Sequence, residues 1–349
     1  MFNNSWFKKE RPIITMMGLG GGATGLPMGG GFSCPTDPFS ATGGSKFSLD
    51  SKTWHLYSSP GTFVADGQSQ VCEFFVLAGG GGGSNGGAGG GAGGVITSFP
   101  DAPTTWRSSD ITITCGTYNI TVGSGGAGAP TSGSQLNADP GGDSSIILDG
   151  VSSQPFTSVI ANGGGGGGGT PSLDPQPGGS GGGGMYGSNA GGTALKPADW
   201  PKQRGYDGAT GGAAPPYDGG GGGGSASGGG LQPDGTPQPS LGIGGGATYY
   251  PGIPASDILP LIPVPAQNSI NPGNEWSDEN ETFAGGGGGG NNLSGNNGGG
   301  GGAGNGAGAW TNGYNAKAHT GSGGGGGGND STHRAGGNGA AGFIVIRYS

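Results

Sequence analysis

The chain has 349 residues, of which 96 are Gly and 26 are Pro, and its 12 Lys or Arg against 21 Asp or Glu leave a net charge of −9. Hydrophobic residues other than Gly make up 30%, where an ordinary globular domain has roughly 40%, and Gly costs about 1 kcal/mol at a helical position. This argues against a helical bundle, a (β/α)8 barrel or a doubly wound enzyme, and the acidic excess without Lys/Arg clusters argues against nucleic acid as a partner.

Residues 1–46 open with Trp6, Phe7, Lys8, Lys9 and Arg11, followed over 13–39 by an apolar stretch spaced by Gly and Pro. They read as an extended segment. The charged start has no long apolar stretch behind it, so synthesis in a cytoplasm without a secretory signal is expected. No run of about 20 apolar residues suggests a membrane-spanning helix. Cys34, Cys72 and Cys115 are odd in number and lack CxxC spacing. They are expected as buried reduced thiols, neither a disulfide framework nor a zinc site.

The strand signals come next. Residues 71–77 are nearly all apolar and run directly into Gly at 79–83. Residues 111–115 alternate, with Ile111, Ile113 and Cys115 on one face, and 118–122 place Tyr118, Ile120 and Val122 together. Gly116 and Thr117 between them suggest a tight connection. Shorter candidates lie at 145–148 and 156–160, and a last strand is expected at 343–348. Since 71–78 and 343–348 both adjoin Gly, they are expected in one sheet at the base of the Gly region.

Gly comes in pure runs at 79–83, 163–169, 181–184, 219–224, 285–290, 298–302 and 323–328. Such a run buries no side chain. It can adopt polyproline-II geometry, three residues per turn and about 3.1 Å per residue, with every N–H and C=O directed outward. Without Cβ atoms several such helices can approach on all sides and satisfy one another laterally. Ordering each residue costs about 1–2 kcal/mol, so one isolated run stays disordered while an array can order cooperatively. The sequence thus permits a fold that is mainly β with packed polyglycine-II helices and almost no α-helix. Residues 47–160 form a strand-rich base, and 161–349 form the array with aromatic loops and a closing strand.

Motifs for chemistry are sparse. No phosphate-binding GxxxxGK[ST] and no HExxH occurs, and GxGxxG matches within poly-Gly carry no information. His319 and His333 flank 323–328, and a shared metal site there would require both at one place. Asp278, Glu279 and Glu281 read as a solvated acidic loop more readily than as a glycosidase pair. No enzyme activity, metal or cofactor is expected. The side chains suited to recognition lie between the runs: Tyr186, Trp200, Tyr206 and Tyr217 in 185–218, Tyr249, Tyr250 and Trp276 in 247–284, and Trp310 and Tyr314 in 309–320. Aromatics anchor binding surfaces; the plainer reading is that they plug the ends of the Gly layers. The apolar stretch 258–264 suits a subunit contact.

The order of these features carries a resemblance. A strand with Phe74, Phe75, Val76 and Leu77 runs into poly-Gly; a Gly/Ala segment follows at 89–94. Then come Tyr118, Ile120 and Val122, the run 163–169, and a Gly-rich approach to Phe343, Ile344, Val345, Ile346, Arg347 and Tyr348. Over 52–349 this resembles the glycine-rich domain of tailed-bacteriophage tail-fibre and virion structural proteins. The resemblance implies a sandwich of polyglycine-II helices whose loops contact the host surface. It also implies a virion location, residues 1–46 as the attachment segment to other virion proteins, and a bacterial surface receptor as a candidate partner. A structural subunit without receptor binding is the alternative, and a homo-oligomer is compatible with either.

Overall fold

The computed structural model describes residues 34–149, 158–169, 174–187, 189–213, 218–230, 242–250, 252–253, 258, 261, 282–291, 295–328 and 332–349. Residues 34–349 group as one compact unit. Its described residues are mainly antiparallel β-sheet with essentially no helix.

Two sheets form a sandwich. The first contains β1 (Ser40–Thr42), β4 (Gly61–Asp66), β8 (Gly116–Thr121), β9 (Ser144–Leu148) and β10 (Ser158–Ala161), in that spatial order. The second runs β2 (Ser45–Leu49), β3 (Lys52–Tyr57), β13 (Phe343–Tyr348), β5 (Gln70–Leu77) and β6 (Val95–Thr97). On β5, β6 pairs with Phe75–Leu77, and β7 (Ile111–Ile113) pairs with Gln70–Cys72. A two-stranded ribbon joins β11 (Thr248–Tyr249) to β12 (Thr282–Phe283).

Strand alternation explains the layers. Phe63 and Ala65 of β4 and Tyr118 and Ile120 of β8 point inward. They meet Cys72, Phe74 and Val76 of β5 and Ile344 and Ile346 of β13. The alternate residues of β5 and β13, Phe75, Leu77, Phe343 and Val345, face a third layer built from Phe99, Ala102, Trp106, Tyr250, Ile253 and Phe283. Both strands are thus covered on two faces, which is why they read as unbroken apolar runs. Burying one such large side chain contributes about 1.5–3 kcal/mol.

The expected partnership of the two Gly-adjoining strands is direct: Phe343 lies opposite Leu77 and Arg347 opposite Glu73. The connection expected near Gly116 is tight, with only Thr114 and Cys115 between β7 and β8, but it does not make a hairpin. β7 belongs to the second sheet and β8 to the first, so the chain crosses the sandwich there. Two of the three cysteines are corrected, because Cys34 and Cys115 form a disulfide with Cα atoms 5.5 Å apart. Only the folded sheets bring these residues together, from 81 positions apart in sequence. Cys72 is free and buried, and burial, with Asp110 and Glu73 nearby, pushes its thiol pKa up to about 12.

The Gly runs are neither strands nor unpaired. Successive segments travel away from the sandwich and back, and their hydrogen bonds repeat every three residues. Gly79 and Gly82 donate to Gly142 and Asp139, Gly80 and Gly83 to Ala340 and Gly337, and Gly81 and Ser84 to Gly91 and Ala88. These three neighbours run antiparallel. The carbonyls of the same segment accept from three parallel neighbours: Gly79 and Gly82 from Gly164 and Gly167, Gly80 and Gly83 from Gly126 and Ala129, and Gly81 and Ser84 from Gly324 and Gly327. One segment therefore has six neighbours. Residues 88–94 repeat the arrangement, donating to 220–223, 321–324 and 162–165, and accepting from 180–183, 287–290 and 81–84.

These glycines serve close approach rather than unusual φ. Positive φ occurs at connections such as Gly87, Gly187 and Gly295, while 79–83, 163–169 and 323–328 avoid it; the run at 298–302 departs from this, because Gly300, Gly301 and Gly302 all have positive φ and form a turn. A methyl at Gly81, Gly82 or Gly83 would overlap a carbonyl of Gly165, Ala127 or Gly325. Gly133, by contrast, has open space around it.

Two outcomes are expected. Gly82→Ala should lower stability by about 3 kcal/mol or prevent folding, while Gly133→Ala should leave the denaturation midpoint almost unchanged. Cys34→Ser, or reduction of the disulfide, should cost about 4–5 kcal/mol for an 81-residue closed loop, read from denaturant titrations with and without reductant.

Candidate functional site

The array has two chemically different ends. At the sheet end lie the connections near 177–180, 195–205, 300–302 and 317–320, together with the ribbon of β11 and β12. This follows from pairings such as Arg204 with Val95 and Gly94 with Asn162, where segments meet strand termini. At the far end lie 85–87, 130–136, 185–189, 308–312 and 332–334.

The predicted recognition residues divide between these ends. Trp200 belongs to the sheet end: its indole N–H donates to the Ser158 carbonyl at 3.2 Å and its ring meets Phe74 edge-on at 5.5 Å. Tyr250 is 1% exposed and packs on Phe75 and Trp106 at 5.2 and 5.3 Å; burial pushes its pKa up to about 12. Both are structural plugs. Tyr249 sits in β11 opposite Thr282. Tyr206 is half-exposed, with the Arg204 guanidinium 5.5 Å from its ring. Ile258 enters the third layer, while Leu261 is exposed.

At the far end, Tyr186 receives a hydrogen bond from Gln135, tying two loops together. Trp310 is 68% exposed and has φ 70°, a region that bulky residues rarely adopt. The Arg334 guanidinium lies 5.9 Å from its ring. Arg334 had no sequence signal, because only the returning pass brings it beside Trp310. Tyr314 is half-buried, and its carbonyl accepts from Gly325. His319 lies at the sheet end, its Nδ1 3.3 Å from the Gly342 carbonyl, whereas His333 lies at the far end. The pass of 321–328 separates them, so they do not share a site. Tyr217, Trp276, the acidic trio Asp278, Glu279 and Glu281, and Trp6, Phe7, Lys8, Lys9 and Arg11 lie outside the described residues.

Among the described residues, the densest charge network is on the second sheet. Arg347 is 5% exposed and is held between Phe99 and Trp54, 3.7 and 4.8 Å from their ring centres. It bonds to Glu73 and to the Gly252 carbonyl, while Lys52 Nζ reaches Glu73 Oε1 at 2.7 Å. Burial alone would raise the Glu73 pKa, but the bonds and charges of Lys52 and Arg347 outweigh it and hold the carboxyl below its ordinary 4.5. Since the folded value is the lower one, the contribution to stability is present above pH 4.5 and lost as pH falls through the folded value. Glu73→Gln should therefore destabilise at pH 7, and the gap to the native protein should narrow below pH 4.5 in denaturant titrations.

No curated protein matches the sequence. The family model described as a glycine-rich domain matches residues 58–349. That span begins just after β3 and takes in the ten strands β4 to β13 with the Gly segments between them. The chain belongs to the glycine-rich domain family.

Proposed function

We propose that the chain is a bacteriophage virion protein, a tail-fibre or tail-tip adhesin, in which the Gly segments are polyglycine-II helices and the far-end loops contact a bacterial surface receptor. Three-residue hydrogen-bond periodicity with six neighbours supports the helix assignment, since a threefold screw presents its N–H and C=O groups in three directions each. The observation that carries the receptor reading is Trp310, an exposed aromatic in a strained conformation at the end remote from the sandwich. Strained backbone clusters at ligand-contacting sites, and Trp is among the residues enriched in binding hot spots. In this reading the protein is not an enzyme, and residues 1–46, through Trp6, Phe7, Lys8, Lys9 and Arg11, join it to other virion proteins.

A second reading is a structural subunit of a fibre, baseplate or head appendage without receptor binding. It is favoured by Trp200 and Tyr250, which are committed to internal packing. The two separate in one experiment. Particles carrying Trp310→Ala should assemble normally and adsorb to cells about tenfold more slowly. Unchanged adsorption speaks against the adhesin reading; failed assembly favours the structural subunit.

A further inference from the structure

We propose that a cleft at the sheet end, between the turn of 98–110 and the loop of 196–206, is a binding site for an acidic oligosaccharide. One hollow has a volume of about 540 Å³, and a second of about 140 Å³ shares Lys202 as a lining residue. The larger volume is that of a ligand site. Of the chain's 12 Lys and Arg residues, four line these two hollows: Arg107 and Lys202 in the first, Lys196 and Arg204 with Lys202 in the second. In a chain of net charge −9, this gathers cations where an anion would be drawn in.

The lining carboxylates do not cancel them. Glu73 is engaged by Lys52 and Arg347, which leaves Asp110. The ion pairs among the described residues join Glu73 and Asp101 to Lys52 and Arg347 and involve none of the four cleft cations. Lys202 Nζ instead donates to the Arg107 and Thr104 carbonyls at 2.8 and 3.4 Å, bridging the two walls. Arg107 donates to the Pro100 carbonyl at 2.8 Å. Walls held in this way lower the ordering cost of binding.

The other lining groups select the kind of anion. Ser98, Thr104, Ser108 and Ser109 bring hydroxyls that donate and accept. Asp110 accepts from sugar hydroxyls but repels a closely spaced phosphate chain. On the flank, Arg204 lies between Trp106 and Tyr206, 5.2 and 5.5 Å from their rings, and Tyr206 keeps 40% of its surface exposed for a sugar face. A single aromatic platform does not supply the series of stacking faces that single-stranded nucleic acids use. The cleft is at the opposite end from Trp310 and does not depend on the adhesin reading.

Titration calorimetry of the full chain tests this with three acidic probes: tetragalacturonate, sialyllactose and a chondroitin sulfate tetrasaccharide. Maltotetraose serves as the neutral control and an oligothymidylate of equal charge as the nucleic-acid control. At least one acidic saccharide should bind, more weakly as salt rises. Arg107→Ser with Lys202→Gln should weaken it about tenfold, and Trp310→Ala should leave it unchanged. If loss of the Lys202 bridge lowers the melting temperature, Lys196→Gln, which leaves that bridge in place, carries the same test with a several-fold loss. Binding by none of the three probes overturns the proposal. So does equal binding of maltotetraose or the oligothymidylate, or native-like affinity in cleft variants that melt normally.

Discussion

The contact on which this structure depends is a backbone carbonyl resting against a Cα that carries no side chain. At Gly79, Gly80, Gly81, Gly82 and Gly83 in succession, the space a Cβ would need is filled by a different neighbouring carbonyl. Remove that closeness and the lateral N–H···O bonds, 2.8–3.0 Å over the same residues, cannot form. Hydrophobic burial contributes little in such a lattice. A net hydrogen bond contributes about 0.5–1.5 kcal/mol, against about 1–2 kcal/mol to order a residue's backbone. The two terms nearly offset each other, so the lattice needs closure on many sides and an external register.

The sandwich provides that register. β5 leads into the segment starting at 79, the returning 88–94 enters β6, β8 leads to 122–129, 137–143 enters β9, β10 leads to 162–169, and 334–342 enters β13. Segments next to the sheets are therefore positioned by ladders whose core-facing side chains are buried. Further out, buried serines at the connections take this role. Ser225 Oγ donates to the Phe283 carbonyl at 3.1 Å and Ser322 Oγ to Gly301 at 2.7 Å. At the far end Ser84 Oγ accepts from Ala88 at 2.9 Å. Each meets a backbone group that the three-residue repeat leaves over where the chain reverses.

What could be read from the sequence follows the same physics. Strands β5 and β13 were legible because burial on both faces makes a continuous apolar run. β8 was legible from its alternation. β1 to β4 and β6 were not, since Ser40–Thr42 and Ser45–Leu49 carry few apolar residues and Val95–Thr97 is only three residues long. Pairing partners were hidden for a different reason: alternation at Ile111–Ile113 states which face is inward but not which sheet it joins. The Cys34–Cys115 bond and the Trp310–Arg334 pair share that cause, because each is made by long-range return of the chain. The aromatic loops looked alike in sequence, and only the direction of each pass assigns them to one end or the other.

That assignment changes what an aromatic residue means. At the sheet end a large ring finds side chains to pack on, and Tyr250 and Trp200 do so against Phe75 and Phe74. The far end offers mostly backbone. A Gly lattice offers a ring few side chains to pack on, so a Trp placed there gains less from folding than one at the sheet end. Trp310 keeps 68% of its surface in solvent and holds an unfavourable φ, and the Arg334 guanidinium stands over its ring. Packing among the described residues leaves most of the ring uncovered. An outside surface that covers the ring would supply the burial the lattice lacks, and a support almost free of side chains lets loop sequence change while the passes beneath it keep their contacts.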